Sequence, residues 1–194
     1  MIYMASYKPG SRLHDREAEH RLGRRLLAFG LEHEYGRTWE AAALPGAKPY
    51  LEGAPGICFN ISHTRGLVVC AISRRAVGVD TEYIRPFKES LMARVCSPQE
   101  RGYVEAGAME AGVSAAGTSA AGTSSERFFR LWTLKESFVK ATGEGLGYPL
   151  RDITFSWEGD LIRGSIPGWH YYQAMVYGSY IISVCEADEK GEEA

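Results

Sequence analysis

Hydrophobic and polar positions change period several times along this chain, and each change marks an element. Residues 14–29, HDREAEHRLGRRLLAF, space their apolar side chains for a helix, with Arg16, His20, Arg21, Arg24 and Arg25 on a solvated basic side. Residues 43–56 are rich in proline and glycine and predict a loop. Period two then takes over. ICFNISHT (57–64), GLVVCAIS (66–73) and AVGVDTE (76–82) predict three strands. Helical spacing returns over 87–107, broken by Ser97–Pro98 into a helix and a second short one. Residues 106–125 carry the direct repeat SAAGT-SAAGT and almost no large apolar side chain, which predicts a flexible surface loop. A helix follows over about 126–142, with Gly143 placed to stop it. The remainder alternates like antiparallel strands and ends in an acidic tail expected to fray.

This order predicts an α+β fold with antiparallel sheet in two layered halves. Composition narrows the picture little. The net charge of −2 over 194 residues gives no electrostatic reason to expect nucleic acid as a partner. Four scattered cysteines without a CxxC pair argue against zinc or a disulfide framework. The first residues do not read as a signal peptide, and no run of eighteen apolar residues predicts a membrane span, so a cytoplasmic protein is expected.

The chemistry concentrates in two elements. In VGVDTE, Asp80 and Glu82 stand two apart and so share one strand face with Gly78, while Val77, Val79 and Thr81 face the other way. Two like charges side by side repel unless a cation lies between them. In LWTLKESFVKATG, Trp132, Glu136 and Lys140 fall four apart and share a helix face. Taken alone, the acids also fit a solvated strand end. Glu136–Lys140 alone also fits an ordinary surface pair contributing about 0.3–0.5 kcal/mol. Three carboxylates without a Cys/His ligand set point to Mg²⁺ or Mn²⁺, and hence to a phosphate-bearing substrate. Lys48, Lys135, Lys140 and His63 are the cations available to hold one. Ser62 and His63 are adjacent in a strand and point to opposite faces, which argues against a catalytic Ser–His dyad. A strand end where amides, a hydroxyl and an imidazole meet an anion fits better.

Together FNISHTRG, VGVDTE and FFRLWTLKESFVKATGEGL resemble the 4′-phosphopantetheinyl transferase superfamily, and the preceding KPY makes the chain most similar to the surfactin-synthetase-activator (Sfp) type. The resemblance implies Mg-dependent transfer of the phosphopantetheine arm of coenzyme A to a serine of an apo acyl or peptidyl carrier protein, releasing adenosine 3′,5′-bisphosphate. It implies Asp80, Glu82 and Glu136 as metal ligands, His63 and Lys140 at the phosphates, and Lys48 and Ser62 near the 3′-phosphoadenosine end. Glu136 is then the candidate base and Lys140 the residue at the leaving phosphate. Family members of this type carry basic residues on a longer N-terminal segment. Here Lys8, Arg12, Arg16 or Arg21 would substitute, with Arg21 favoured. The implied fold is two similar α/β halves in a pseudo-two-fold arrangement, divided here near residue 86 into 1–86 and 87–194, in a monomer. Leu91, Met92 and Val95 either meet the carrier or face the protein's own core. The alternative function is a non-catalytic relative that binds coenzyme A or a carrier protein.

Overall fold

In a computed structural model, residues 1–8, 16–110 and 122–189 are described. Strand β1 (Ile2–Ser6) leads into helix α1 (Arg16–Tyr35) and a short ribbon, β2 (Ala41–Ala42) with β3 (Tyr50–Leu51). Then come β4 (Cys58–Thr64), β5 (Leu67–Ser73) and β6 (Val77–Tyr83), followed by helices α2 (Glu89–Val95), α3 (Pro98–Glu110) and α4 (Ser124–Thr142). Two short 3₁₀ turns precede β7 (Phe155–Glu158), β8 (Leu161–Gly164), β9 (Trp169–Val176) and β10 (Tyr180–Ala187). The α+β class with antiparallel sheets is as the sequence predicts. Strand β1 was not anticipated. Most of the repeat-bearing segment lies outside the described residues, and at its margins α3 reaches Glu110 and α4 starts at Ser124, where helix replaces the expected loop. The end of the acidic tail also lies outside them.

Two antiparallel sheets stack in the middle of the molecule. One has the order β1-β5-β4 and the other β6-β10-β9-β8-β7. Alternation along the central strands sends side chains to two different cores. On β5, Cys70 and Ile72 join Leu27 and Leu31 of α1, while Leu67, Val69 and Ala71 meet Val77 and Val79 of β6 and Ile182 and Val184 of β10. On β10 the other parity, Ile181 and Cys185, packs under Phe128, Leu131, Leu134 and Phe138 of α4. The layers are therefore α1, first sheet, second sheet, and α4 with α2 and α3. All four cysteines are free. Among the described residues no helix is long and apolar enough to cross a membrane.

Strand β6 comes from the first 86 residues yet pairs with β10 in the second sheet, with Asp80 opposite Ser183. Among the described residues, its outer edge has no strand beside it in that sheet. Side chains of β4 take that place: the amides of Val79, Thr81 and Tyr83 donate to Asn60 Oδ1 at 2.9 Å, Ser62 Oγ at 3.2 Å and Thr64 Oγ1 at 3.3 Å. Every second residue of β4 thus satisfies every second amide of β6, which ties the sheets together and leaves no open edge there.

On its other face β6 meets α4. A Cβ built at Gly78 would stand 2.0 Å from the carbonyl oxygen of Ser137 and 2.4 Å from the amide nitrogen of Ala141. Only glycine lets the two backbones come this close. Helix α4 is capped at both ends: the Thr123 hydroxyl accepts from the Glu126 amide at 3.2 Å, and Gly143 ends the helix at φ 81°. Replacing Gly78 with alanine must push helix and strand apart. Gly78→Ala is expected to lower unfolding free energy by about 3 kcal/mol or more, measured by denaturant titration. A loss within experimental error would contradict the close contact.

Candidate functional site

A cleft of about 790 Å³ opens where β4, β6 and α4 meet. Strand parity brings Asp80 and Glu82 to it from β6, and the shared face of α4 brings Trp132, Glu136 and Lys140. Ser62 and His63 line it from β4. Seven of the residues that the sequence singles out thus converge on one site: Ser62, His63, Asp80, Glu82, Trp132, Glu136 and Lys140.

Asp80 is buried at the centre. Its Oδ1 accepts from Lys140 Nζ at 2.5 Å and from Ser62 Oγ at 3.0 Å, and the same lysine donates to Ser62 Oγ at 3.0 Å. Its Oδ2 is buried and has no hydrogen-bond partner among the described residues. Such an orphaned oxygen is costly, and a bound cation is one of the few things that would satisfy it. Glu82 accepts from Arg85 at 2.6 Å and from Thr64 Oγ1 at 3.4 Å. Burial pushes both the Glu82 and the Glu136 carboxyls up. The charge of Asp80 adds to the rise in each, against Arg85 for Glu82 and Lys140 for Glu136. The three acids face Lys140 and Arg94 in the lining of the cleft, with Arg85 beside Glu82. Among the described residues, however, no group of three His, Cys, Asp or Glu side chains is already gathered as a metal cage.

Three expected phosphate contacts lie elsewhere. The Lys48 ammonium donates to the Val77 carbonyl at 2.7 Å and the Ala141 carbonyl at 3.0 Å, bridging the start of β6 to the end of α4. Burial lowers its pKa. Arg21 is exposed on α1 and pairs with Glu17 one turn away at 2.6 Å. Lys135 is fully enclosed, holding Glu100 Oε2 at 2.6 Å, the Val95 carbonyl at 2.8 Å and the Leu150 carbonyl at 3.1 Å. It lies 100° around the helix from Glu136 and points into the protein. Of the alternatives to Arg21, Arg12 lies outside the described residues, and Arg16 lines a side pocket of about 490 Å³ beside the cleft with Arg65 and Arg85. Met92 and Val95 are buried in the core, so their apolar surface serves the protein itself. Trp132 is half-buried and does both jobs, packing on the core and lining the cleft.

Sequence reasoning missed Glu19. It is 2% exposed on α1, with one Oε 3.0 Å from His63 Nδ1, and it accepts from the Tyr7 hydroxyl. The signal was present: Glu19 stands on the stripe of Gly23, Leu27 and Leu31, a carboxylate on the face that packs inward.

Fold and site together define an α+β protein with a cleft of carboxylates and basic side chains at the junction of its two sheets. The chain belongs to the 4′-phosphopantetheinyl transferase superfamily, whose family profile matches residues 76–185, more than half of its length. It is 32% identical over 124 residues to a 4′-phosphopantetheinyl transferase of Bacillus subtilis, covering 64% of this chain and 45% of that protein. It is 31% identical over 103 residues to 4′-phosphopantetheinyl transferase Sfp of Bacillus subtilis (strain 168), covering 53% and 41%. Among solved structures, holo-[acyl-carrier-protein] synthase of Thermotoga maritima superposes with a TM-score of 0.44 at 16% identity, over 59% of this chain and 64% of that one. The matched region spans less than half the length of the two Bacillus relatives.

Two predictions follow from the site's electrostatics. A carboxyl whose folded-state pKa is raised holds its proton more tightly in the folded protein. Stability therefore falls as pH climbs from the unfolded carboxylate range through the raised folded value. In chelator-treated protein, Glu136→Gln is expected to raise Tm at neutral pH, with the gain vanishing below about pH 4. An equal or lower Tm at neutral pH would mean that Glu136 is not destabilised by its surroundings. Lys135→Met leaves Glu100 buried without its cation, and the expected loss on denaturant unfolding is about 3–5 kcal/mol.

Proposed function

We propose that this protein transfers the 4′-phosphopantetheine arm of coenzyme A to a serine hydroxyl of an apo acyl or peptidyl carrier protein, releasing adenosine 3′,5′-bisphosphate. The observation that carries the reading is the convergence of Asp80, Glu82, Glu136 and Lys140 on one cleft, with a buried Asp80 oxygen that has no partner among the described residues. The donor set fits a hard cation: carboxylates without thiolate or a His cluster suit Mg²⁺, with Mn²⁺ as a substitute. Asp80, Glu82 and Glu136 would hold it. When bound, the ion would supply charge neutralisation at the pyrophosphate of coenzyme A.

The side chains of this chain account for the remaining steps. Lys140 and Ser62 already stand together at 3.0 Å beside Asp80, where an ammonium and a hydroxyl can take phosphate oxygens. His63, on the wall of the same cleft, offers a further donor. The serine oxygen of the carrier attacks the phosphorus nearer the pantetheine. The bond from that phosphorus to the bridging oxygen breaks, and the bridging oxygen leaves with the adenosine bisphosphate. Lys140 balances the charge that develops on this leaving phosphate. The serine proton goes to Glu136, the carboxylate that α4 brings to the cleft. Lys48 serves this reading as a tie between β6 and α4. The cleft lies where β4 of the first sheet meets β6 and α4, and the reading makes the protein a cytoplasmic monomer acting on soluble carriers.

The test is intact-mass spectrometry of apo carrier proteins incubated with this protein, coenzyme A and Mg²⁺. One phosphopantetheine is expected to be added, and a chelator to abolish the addition. Asp80→Asn and Glu136→Gln are expected to reduce the rate at least about 100-fold while retaining cooperative unfolding. Near-wild-type transfer by either variant would sink the assignment of the cleft.

A further inference from the structure

The turn between β9 and β10 is strained at an exposed aromatic residue. The Ser179 amide donates to the Val176 carbonyl at 3.2 Å across Tyr177 and Gly178, whose φ angles are 52° and 63°. Positive φ at both central positions favours Asn, Asp or Gly, and a bulky side chain there costs stability. Tyr177 is the only non-glycine residue at positive φ among the described residues, and it is 66% exposed. Neither burial nor turn chemistry accounts for a tyrosine at this place. Strain of this kind clusters at functional positions.

The neighbours of Tyr177 are held together and lie beside the cleft. Its ring meets Tyr180 edge-on at 6.5 Å, and Tyr180 meets Tyr83 at 5.3 Å. The Tyr180 hydroxyl donates to the Arg65 carbonyl at 3.0 Å, and the Ile84 amide donates to the Ser179 carbonyl at 2.8 Å. The hairpin tip, the β4–β5 turn and the end of β6 thus form one surface. Tyr83 is 38% exposed on it, and Arg16, Arg65 and Arg85 are exposed around the side pocket. That pocket shares Glu82 with the main cleft, so the surface runs up to the proposed metal site. Its two acids are Glu19, which is buried, and Glu82, which is paired with Arg85. Arg16 and Arg65 therefore carry the charge that a partner would meet.

Rigid tyrosines flanked by arginines have the composition of binding hot spots. An acceptor serine must enter the cleft, so the protein that bears it must rest on a rim of the cleft. At α2, Met92 and Val95 are packed into the core. We propose that the carrier protein docks on the surface of Tyr177, Tyr83, Arg65 and Arg16, presenting an acidic face beside its serine. Tyr177 is the aromatic anchor, and the strained turn holds it out for the partner. The inference rests on the reading of the cleft as a phosphopantetheinyl transferase site.

Tyr177→Gly separates docking from folding, because glycine relieves the turn. The variant is expected to keep or raise Tm, while KM for the carrier rises about tenfold and kcat and coenzyme A affinity stay unchanged. Arg65→Glu is expected to raise the same KM at least about tenfold and to flatten its dependence on salt. An unchanged KM in Tyr177→Gly would overturn the proposal, and so would a lowered Tm, which would make Tyr177 part of the fold. Lost coenzyme A affinity in Arg65→Glu with an unchanged carrier KM would give the side pocket to the nucleotide and overturn it as well. Calorimetric titration of the same apo carrier proteins into this protein, without coenzyme A, tests the surface apart from the reaction. A carrier that binds Tyr177→Gly about tenfold more weakly than wild type supports the docking surface even where no transfer occurs and the reading of the cleft fails. A carrier that binds both proteins equally, or neither, overturns the docking surface and leaves the mass assay to decide the cleft.

Discussion

The contact between β6 and α4 at Gly78 sets the geometry on which the rest of the molecule depends. A side chain there would occupy the place of the Ser137 carbonyl and the Ala141 amide, so strand and helix lie backbone on backbone. At that separation a carboxylate two or four residues further along the strand reaches the helix face that carries Glu136 and Lys140. Lys48 fastens the same joint from the side by giving its ammonium to one carbonyl of each element. Protein interiors resist deformation because they are close-packed. A joint made this way holds the spacing of the acids whether or not a ligand is present.

The second constraint is the unpaired edge of β6. A strand edge inside a protein needs partners for its amides, and here β4 supplies them with Asn60, Ser62 and Thr64 in place of a backbone ladder. Side-chain partners bring chemistry that a backbone partner could not. Ser62 accepts from the Thr81 amide, donates to Asp80 and receives Lys140. Thr64 accepts from the Tyr83 amide and reaches Glu82. The hydrogen bonds that join the sheets are therefore the same ones that orient the acids, and fold and site cannot be varied independently at these positions.

This explains what the sequence made legible and what it did not. Parity along VGVDTE placed Asp80, Glu82 and Gly78 together, and fourfold spacing placed Trp132, Glu136 and Lys140 together, because both follow from the local period of one element. Lys135 could have been separated from Lys140 on the same ground, being 100° away from Glu136 on the helix. The position of Lys48 could not be read, since a loop has no period and its direction is decided by carbonyls on two distant elements. Glu19 fell between these cases. Its stripe on α1 was readable, but the partner that makes it interesting comes from another strand. The resemblance to a family assigned roles by motif, and those assignments are weakest where a cation is needed by the fold itself, as for Lys48.

Two lysines five residues apart on α4 show how the protein separates stability from chemistry. Lys135 is enclosed and satisfied by a carboxylate and two carbonyls, and its partner Glu100 also accepts from the amides of Ser97 and Phe155. This network anchors α4 to α2, α3 and β7. Lys140 stands at the edge of the cleft, against an aspartate with one oxygen unsatisfied. An unsatisfied buried oxygen and two carboxyls pushed up by burial are all unfavourable in the free protein. They persist because the anchored side of the helix and the close joint at Gly78 allow no relaxation that would relieve them. In the cleft a cation and an anionic ligand would relieve this strain, whereas a more pliable helix would let the acids drift apart into solvent.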